Sequence, residues 1–174
     1  MHAFVVSRVD YCNAVLYGAA AYVIRRLQMV LNAAARLISG VRLYQHITPT
    51  LRDTLHWLPV VQRIDYKIAM MAFNCVRGTC PAYFQDVCLR VASVEALARH
   101  RSADRGDMIV PRTNSKMYGP RSFRTSAPTT WNKLPLHLRS EDLSREQFAR
   151  GLKTFCLRTP TRWRRPWERL LRGR

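Results

Sequence analysis

Between about Ala21 and Ser39 the residues Val23, Leu27, Val30, Ala34 and Leu37 recur at i, i+4, i+7, i+11 and i+14, the period of one helix face. Ile24, Leu31 and Ile38 widen that face, while Arg25, Arg26, Gln28, Asn32 and Arg36 mostly lie away from it. Gly40 follows, the residue best suited to the left-handed turn that ends a helix. A helix with one apolar face needs other apolar faces to cover it, so the chain is constrained towards a packed helical domain. The Arg25-Arg26 pair reads as a solvated face.

The next segments supply such partners. Thr48-Pro49 predicts a helix start, with a hydroxyl cap and proline at the first helical position, running through Leu55. His56-Trp57-Leu58-Pro59 interrupts it, and Pro59 begins a second helix with Val60, Ile64, Ile68, Met71 and Cys75 at helical spacing. Gly78 stops that helix, and Pro81 opens a short one that includes Tyr83 and Phe84. Residues 1–89 therefore read as a small helical bundle with short loops.

From 90 to 143 the periodicity weakens. Val91 to His100 reads as helix; Met108-Ile109-Val110 and Ser122-Phe123 read as short extended pieces among turn signals at Asn114, Gly119 and Pro120. A docked, irregular, basic connector is expected there. The next element is well marked: Ser144-Arg145-Glu146-Gln147 is a capping box, with Leu143 and Phe148 in hydrophobic-staple position. Phe148, Leu152 and Phe155 then form an apolar stripe, so a capped C-terminal helix at 144–157 should pack back on the bundle. Residues 158–174 form an Arg/Trp-rich tail with seven arginines and one acid, expected to be disordered when free. The fold class is mainly α.

Charge separates the two halves. Residues 1–100 hold 11 Lys+Arg against 5 Asp+Glu; residues 101–174 hold 18 against 6. The shorter half thus carries twice the net positive charge, and a polyanion is the usual partner of such a surface. Only four of the 29 basic residues are lysine. Arginine binds phosphate bidentately and stacks on bases, although base composition of a gene also produces an arginine bias. RNA or DNA is the partner that charge predicts. The candidate contacts are Arg112, Lys116, Arg121 and Arg124 in the connector and Arg162, Trp163, Arg164 and Arg165 in the tail. Arginine with tryptophan also suits an anionic bilayer surface, an alternative for the tail.

Other classes find less support. No apolar run approaches the ~20 residues that span a bilayer, and Arg8 and Asp10 interrupt any secretory segment behind Met1. An intracellular location, not secreted and not in a membrane, is expected. The five cysteines then read as reduced thiols. Cys75, Cys80, Cys88 and His100 stand in a row but lack a tight two-armed knuckle, and Cys75 falls on an apolar helix face; no metal or cofactor is expected. Ser7, Ser39 and the histidines show no nucleophile-elbow or triad-like setting.

Several ordered runs carry a resemblance. They are Ser7-Arg8-Val9-Asp10-Tyr11-Cys12-Asn13, Arg26-Leu27-Gln28, Asn32 to Leu37, Leu55-His56-Trp57-Leu58-Pro59-Val60, Arg63 to Ala69, Val110-Pro111-Arg112-Thr113, Tyr118 to Phe123, Ala127-Pro128, Trp131-Asn132 and Leu134-Pro135. In this order they resemble the region downstream of the polymerase palm in jockey-like and related LINE-type non-LTR retrotransposon reverse transcriptases, over about Ala3 to Leu157. The resemblance implies an RNA-directed DNA polymerase of which this chain is the non-catalytic C-terminal part, with an upstream polymerase domain as a further partner. It begins almost at Met1, as if the start lay inside a longer reading frame. The paired aspartates that hold two catalytic metal ions in such a polymerase have no counterpart here; the only adjacent acids are Glu141-Asp142, before a helix cap. An orphaned structural fragment, or a nucleic-acid-binding protein adopted by a host, are the alternatives.

Overall fold

The computed structural model describes residues 2–84, 86–97, 99–115, 118–140 and 142–159. It is mainly helical, with no strand among these residues. Helix α1, His2–Asp10, leads through a 3-10 turn, Asn13–Leu16, to α2, Ala21–Ser39. A short α3, Ile47–Pro49, runs on into a π-helical turn, Thr50–Thr54. Then come the central helix α4, Val60–Val76, a chain of short 3-10 turns, and α5, Arg101–Asp104. Helices α6, Phe123–Trp131, and α7, Arg145–Arg158, complete the order.

Helix α2 forms as its pattern demands and ends at Gly40, whose φ is +67° and whose N–H donates to the Arg36 carbonyl at 2.8 Å. Its buried side coincides with the predicted one only in part. Ile24, Leu31, Ala34 and Ala35 are buried, whereas Val30 and Leu37 are 54% and 67% exposed. Helix α2 is apolar around most of its girth, so periodicity identifies a helix without choosing the side that α1, α4 and the 47–54 segment cover. The covered stripe keeps Ile24, Leu31 and Ala34 of the expected face and adds Ala35.

Helix α3 also starts earlier than predicted: Ile47, not Pro49, is its first residue, and the Thr48 hydroxyl does not cap it. Proline fits at the third position because N–H groups of a first turn have no intrahelical partner anyway. The chain then widens into i→i+5 bonding, Leu55 N–H to Thr50 carbonyl at 2.9 Å, before His56 reverses it at φ +50°. The first N–H of α4 is met from another helix: Val60 donates to Gln28 Oε1 of α2 at 2.9 Å.

The expected irregular connector is instead part of the core. Ser122 is extended but flanks α6, and Phe123 is its first residue rather than an extended one. Helix α6 packs on α4 more extensively than any other pair of elements. It escapes a periodicity search because it buries small and polar residues (Thr125, Ser126, Ala127, Thr130) together with Trp131, and because Pro128 lies inside it. Between Val91 and His100 two 3-10 turns, Val91–Ser93 and Glu95–Leu97, replace the expected helix. Met108 meets Arg90 in an isolated antiparallel bridge, so this expected extended piece is present in minimal form.

One cluster joins both halves: Leu31, Val60, Ile64, Ile68, Ala69 and Phe73 share it with Met108, Ala127, Trp131, Leu138, Phe148 and Leu152. Phe148 of α7 stacks on Phe73 at 4.4 Å between ring centroids and lies 6.0 Å from Trp131. The capping box of α7 is present in full: Gln147 N–H donates to the Ser144 hydroxyl at 3.2 Å and Ser144 N–H to Gln147 Oε1 at 2.9 Å. Among the described residues no helix is long and apolar enough to cross a membrane.

Candidate nucleic-acid interface

Three of the predicted contact residues, Arg112, Arg121 and Arg124, are described and exposed; Lys116, Arg162, Trp163, Arg164 and Arg165 lie outside the described residues. The fold brings the three together at one corner. Thr113 folds against the turn at Gly119, so closely that a Cβ at that glycine would stand 2.5 Å from the threonine Cβ. This close approach sets Arg112 beside the Gly119–Arg121 turn, and Arg124 follows in the first turn of α6.

The three arginines are not equivalent. Arg121 reaches back across the molecule: its Nε donates to the Tyr17 carbonyl at 3.3 Å, and its Cγ would lie 2.8 Å from a Cβ at Gly18. It clasps the N-terminal segment to the corner while remaining exposed. Arg112 and Arg124 carry no partner among the described residues and are open to solvent. The first turn of α6 contains no acidic residue, so the positive end of the helix adds to Arg124 instead of being neutralised.

Elsewhere, acids absorb several cations. Asp107 pairs with both Arg105 and Arg139, and Asp10 with Arg63 at 2.8 Å. Arg77 is taken up by the Leu143 carbonyl at 2.9 Å and lies over the Phe73 ring at 5.1 Å. Helix α7 turns Phe148, Leu152 and Cys156 inward and leaves Arg145, Arg150, Lys153 and Arg158 exposed. From its apolar stripe α7 is expected to be a packing helix alone; its cations, spaced between the buried positions, are the available signal of a second basic surface. Asp142 Oδ2 accepts from the Ser140 hydroxyl at 3.3 Å in the turn before α7, and Glu141 lies outside the described residues.

Trp57 and Trp131 are buried, 5% and 3% exposed. The Trp131 indole N–H donates to the Gly106 carbonyl at 3.0 Å. Neither ring face is a surface platform for bases. Cys75, Cys80 and Cys88 are neighbours: burial first, and then the two other thiols, push the Cys75 pKa upward. Burial also raises that of Cys88. His100 stands exposed, and among the described residues no three His, Cys, Asp or Glu side chains are grouped to hold a metal ion.

Comparison of the chain with family models, with curated proteins and with solved structures finds no match.

Proposed function

We propose that this chain is the non-catalytic C-terminal part of a LINE-type non-LTR reverse transcriptase and that it holds RNA or DNA through its basic second half. The observation that carries this reading is the corner of Arg112, Arg121 and Arg124, where two guanidinium groups stand exposed without a partner among the described residues. The ordered motifs from Ser7 to Pro135 support the family, and the 18 Lys+Arg against 6 Asp+Glu over residues 101–174 support the polyanion. In this reading, polymerase chemistry is supplied by aspartates of the upstream domain, and this chain contributes position and affinity.

The test is titration of labelled RNA and DNA across a salt series. A protein that neutralises several phosphates loses affinity steeply, log K falling linearly with log salt. Arg112→Gln with Arg124→Gln should weaken binding and reduce the slope by roughly 1–2. Affinity that is flat from low to physiological salt sinks the reading.

A second reading has its own observation. Helix α2 exposes Tyr22, Met29, Val30, Leu37 and Ile38, and Leu43 and Tyr44 follow at 86% and 75% exposed. So large an apolar face on one helix fits a surface that packs against an upstream polymerase domain. An orphaned fragment with this face uncovered would self-associate when expressed alone; a monomer with one sharp, cooperative thermal transition counts against that version. A nucleic-acid-binding protein adopted by a host keeps the first reading's test.

A further inference from the structure

We propose that the cavity between α1, the 55–58 loop, α4 and α7 seats one unpaired nucleotide of a single-stranded nucleic acid, with its phosphate between Lys67 and Lys153. This rests on the nucleic-acid-binding reading and gives it a second, structurally separate site.

The cavity has a volume of about 590 Å³. That falls inside the range of roughly 300–1,000 Å³ typical of small-ligand sites. Two of the chain's four lysines line it, Lys67 from α4 and Lys153 from α7. Both are exposed and neither pairs with a carboxylate among the described residues. The one acid on the cavity wall, Asp10, is already engaged by Arg63 Nη1 at 2.8 Å. Arg63 Nε in turn donates to the Leu58 carbonyl at 2.6 Å, which fixes the buried guanidinium as part of the wall. With Asp10 balanced by Arg63, the two ammonium groups leave the cavity positive. Two point charges on the wall of one cavity suit a phosphate.

The rest of the wall suits a base. Tyr66 and His56 line it with aromatic rings, and Val6, Leu55 and Leu58 with apolar side chains. Asn13 is only 2% exposed, lines the same cavity, and its Oδ1 carries no hydrogen bond. A buried acceptor without a donor is costly, and an amino or imino N–H of a base supplies that donor. A base stacked within a duplex cannot enter such a concavity without being flipped out, whereas a single strand offers its bases freely. An anion with a flat, hydrogen-bonding body therefore matches the cavity, and a strand end or loop is its source.

The experiment is lysine footprinting of the full chain: acetylation with and without single-stranded oligo(dT), free dTMP or a DNA duplex, read at each lysine by mass spectrometry. Oligo(dT) should protect Lys67 and Lys153, while the exposed Lys133, which does not line the cavity, stays reactive. Lys67→Gln with Lys153→Gln should weaken oligo(dT) binding roughly tenfold more than duplex binding, whereas Arg112→Gln with Arg124→Gln should weaken both alike. Equal protection of Lys67, Lys133 and Lys153, or protection by the duplex as strong as by oligo(dT), overturns the cavity while leaving general nucleic-acid binding intact. Protection by dTMP but not by oligo(dT) assigns the cavity to a free nucleotide and overturns the strand. If the salt series shows no nucleic-acid binding, the basic-corner reading fails, and absence of dTMP protection then removes the cavity as well.

Discussion

The side-chain amide of Asn132 pairs with the backbone of Met108 in both directions: Met108 N–H donates to Oδ1 at 2.8 Å, and Nδ2 donates to the Met108 carbonyl at 2.9 Å. The amide performs the role of a neighbouring strand at a residue that is 2% exposed. Backbone groups buried there need partners, and the isolated bridge to Arg90 occupies only one edge. Asn132→Ala should therefore lower stability by about 2–4 kcal/mol, read from the urea midpoint at unchanged m. A loss below roughly 0.5 kcal/mol would mean that water replaces the amide.

Arg63 and Asp10 make a second long-range tie, with the Arg63 side chain 10% exposed and that of Asp10 40% exposed. Removing the carboxylate strands a buried cation, so Asp10→Ala should cost about 2–3 kcal/mol, less than for a fully buried pair because solvent reaches Asp10. Asp10→Asn keeps an acceptor and should cost less. Chemical denaturation of both variants gives the order, and equal stabilities would remove the role of the charge.

Asp65 contributes a pH dependence. Burial raises its pKa above 3.8, and Lys133 opposes the shift without cancelling it. Between the unfolded and folded values the native state holds a proton that the unfolded chain has released. Stability from this residue is therefore complete below the unfolded pKa and falls as pH rises through the folded one. Thermal melts from acid to neutral pH should show Asp65→Asn gaining on the wild type as pH rises; parallel curves would refute the assignment.

The cysteines should differ in reactivity. Burial, with the Asp65 charge adding to it, pushes the Cys156 pKa up to about 12, whereas Cys12 is exposed. Because the thiolate is the nucleophile, iodoacetamide at neutral pH should label Cys12 in the native protein and reach Cys156 only on unfolding. Equal native labelling would mean that α7 is not docked.

Ser144→Ala should cost about 1 kcal/mol by removing the hydroxyl that accepts from Gln147 N–H. Ser144→Gly should cost only a few tenths, and urea denaturation separates the two.

Where a local rule carried its own physical cause, the fold was legible in the sequence. The Ser144–Gln147 box, the glycine stop at Gly40 and the spacing of Val60, Ile64 and Ile68 each specify a conformation through neighbouring residues alone. Helix α6 was not legible. Its buried Ser126, Ala127 and Thr130 lack an apolar stripe, and Pro128 argues locally against a helix; its packing on α4 overrides both. The candidate site divides in the same way. Exposed cations such as Arg112 and Arg124 follow from composition, whereas the Arg121 clasp on Tyr17 joins residues 104 positions apart and has no sequence signature.

By itself the sequence determined that this chain is mainly helical, where α2 and α7 end or begin, and that its second half is strongly basic, because caps, periodicity and net charge are local or additive. Only the tertiary structure decided which side of α2 is covered, that Met108, Ala127, Trp131 and Leu138 join the core, and that Lys67 and Lys153 line one cavity. Those outcomes depend on which distant surfaces meet, and burial is a property of the pair of faces rather than of either segment.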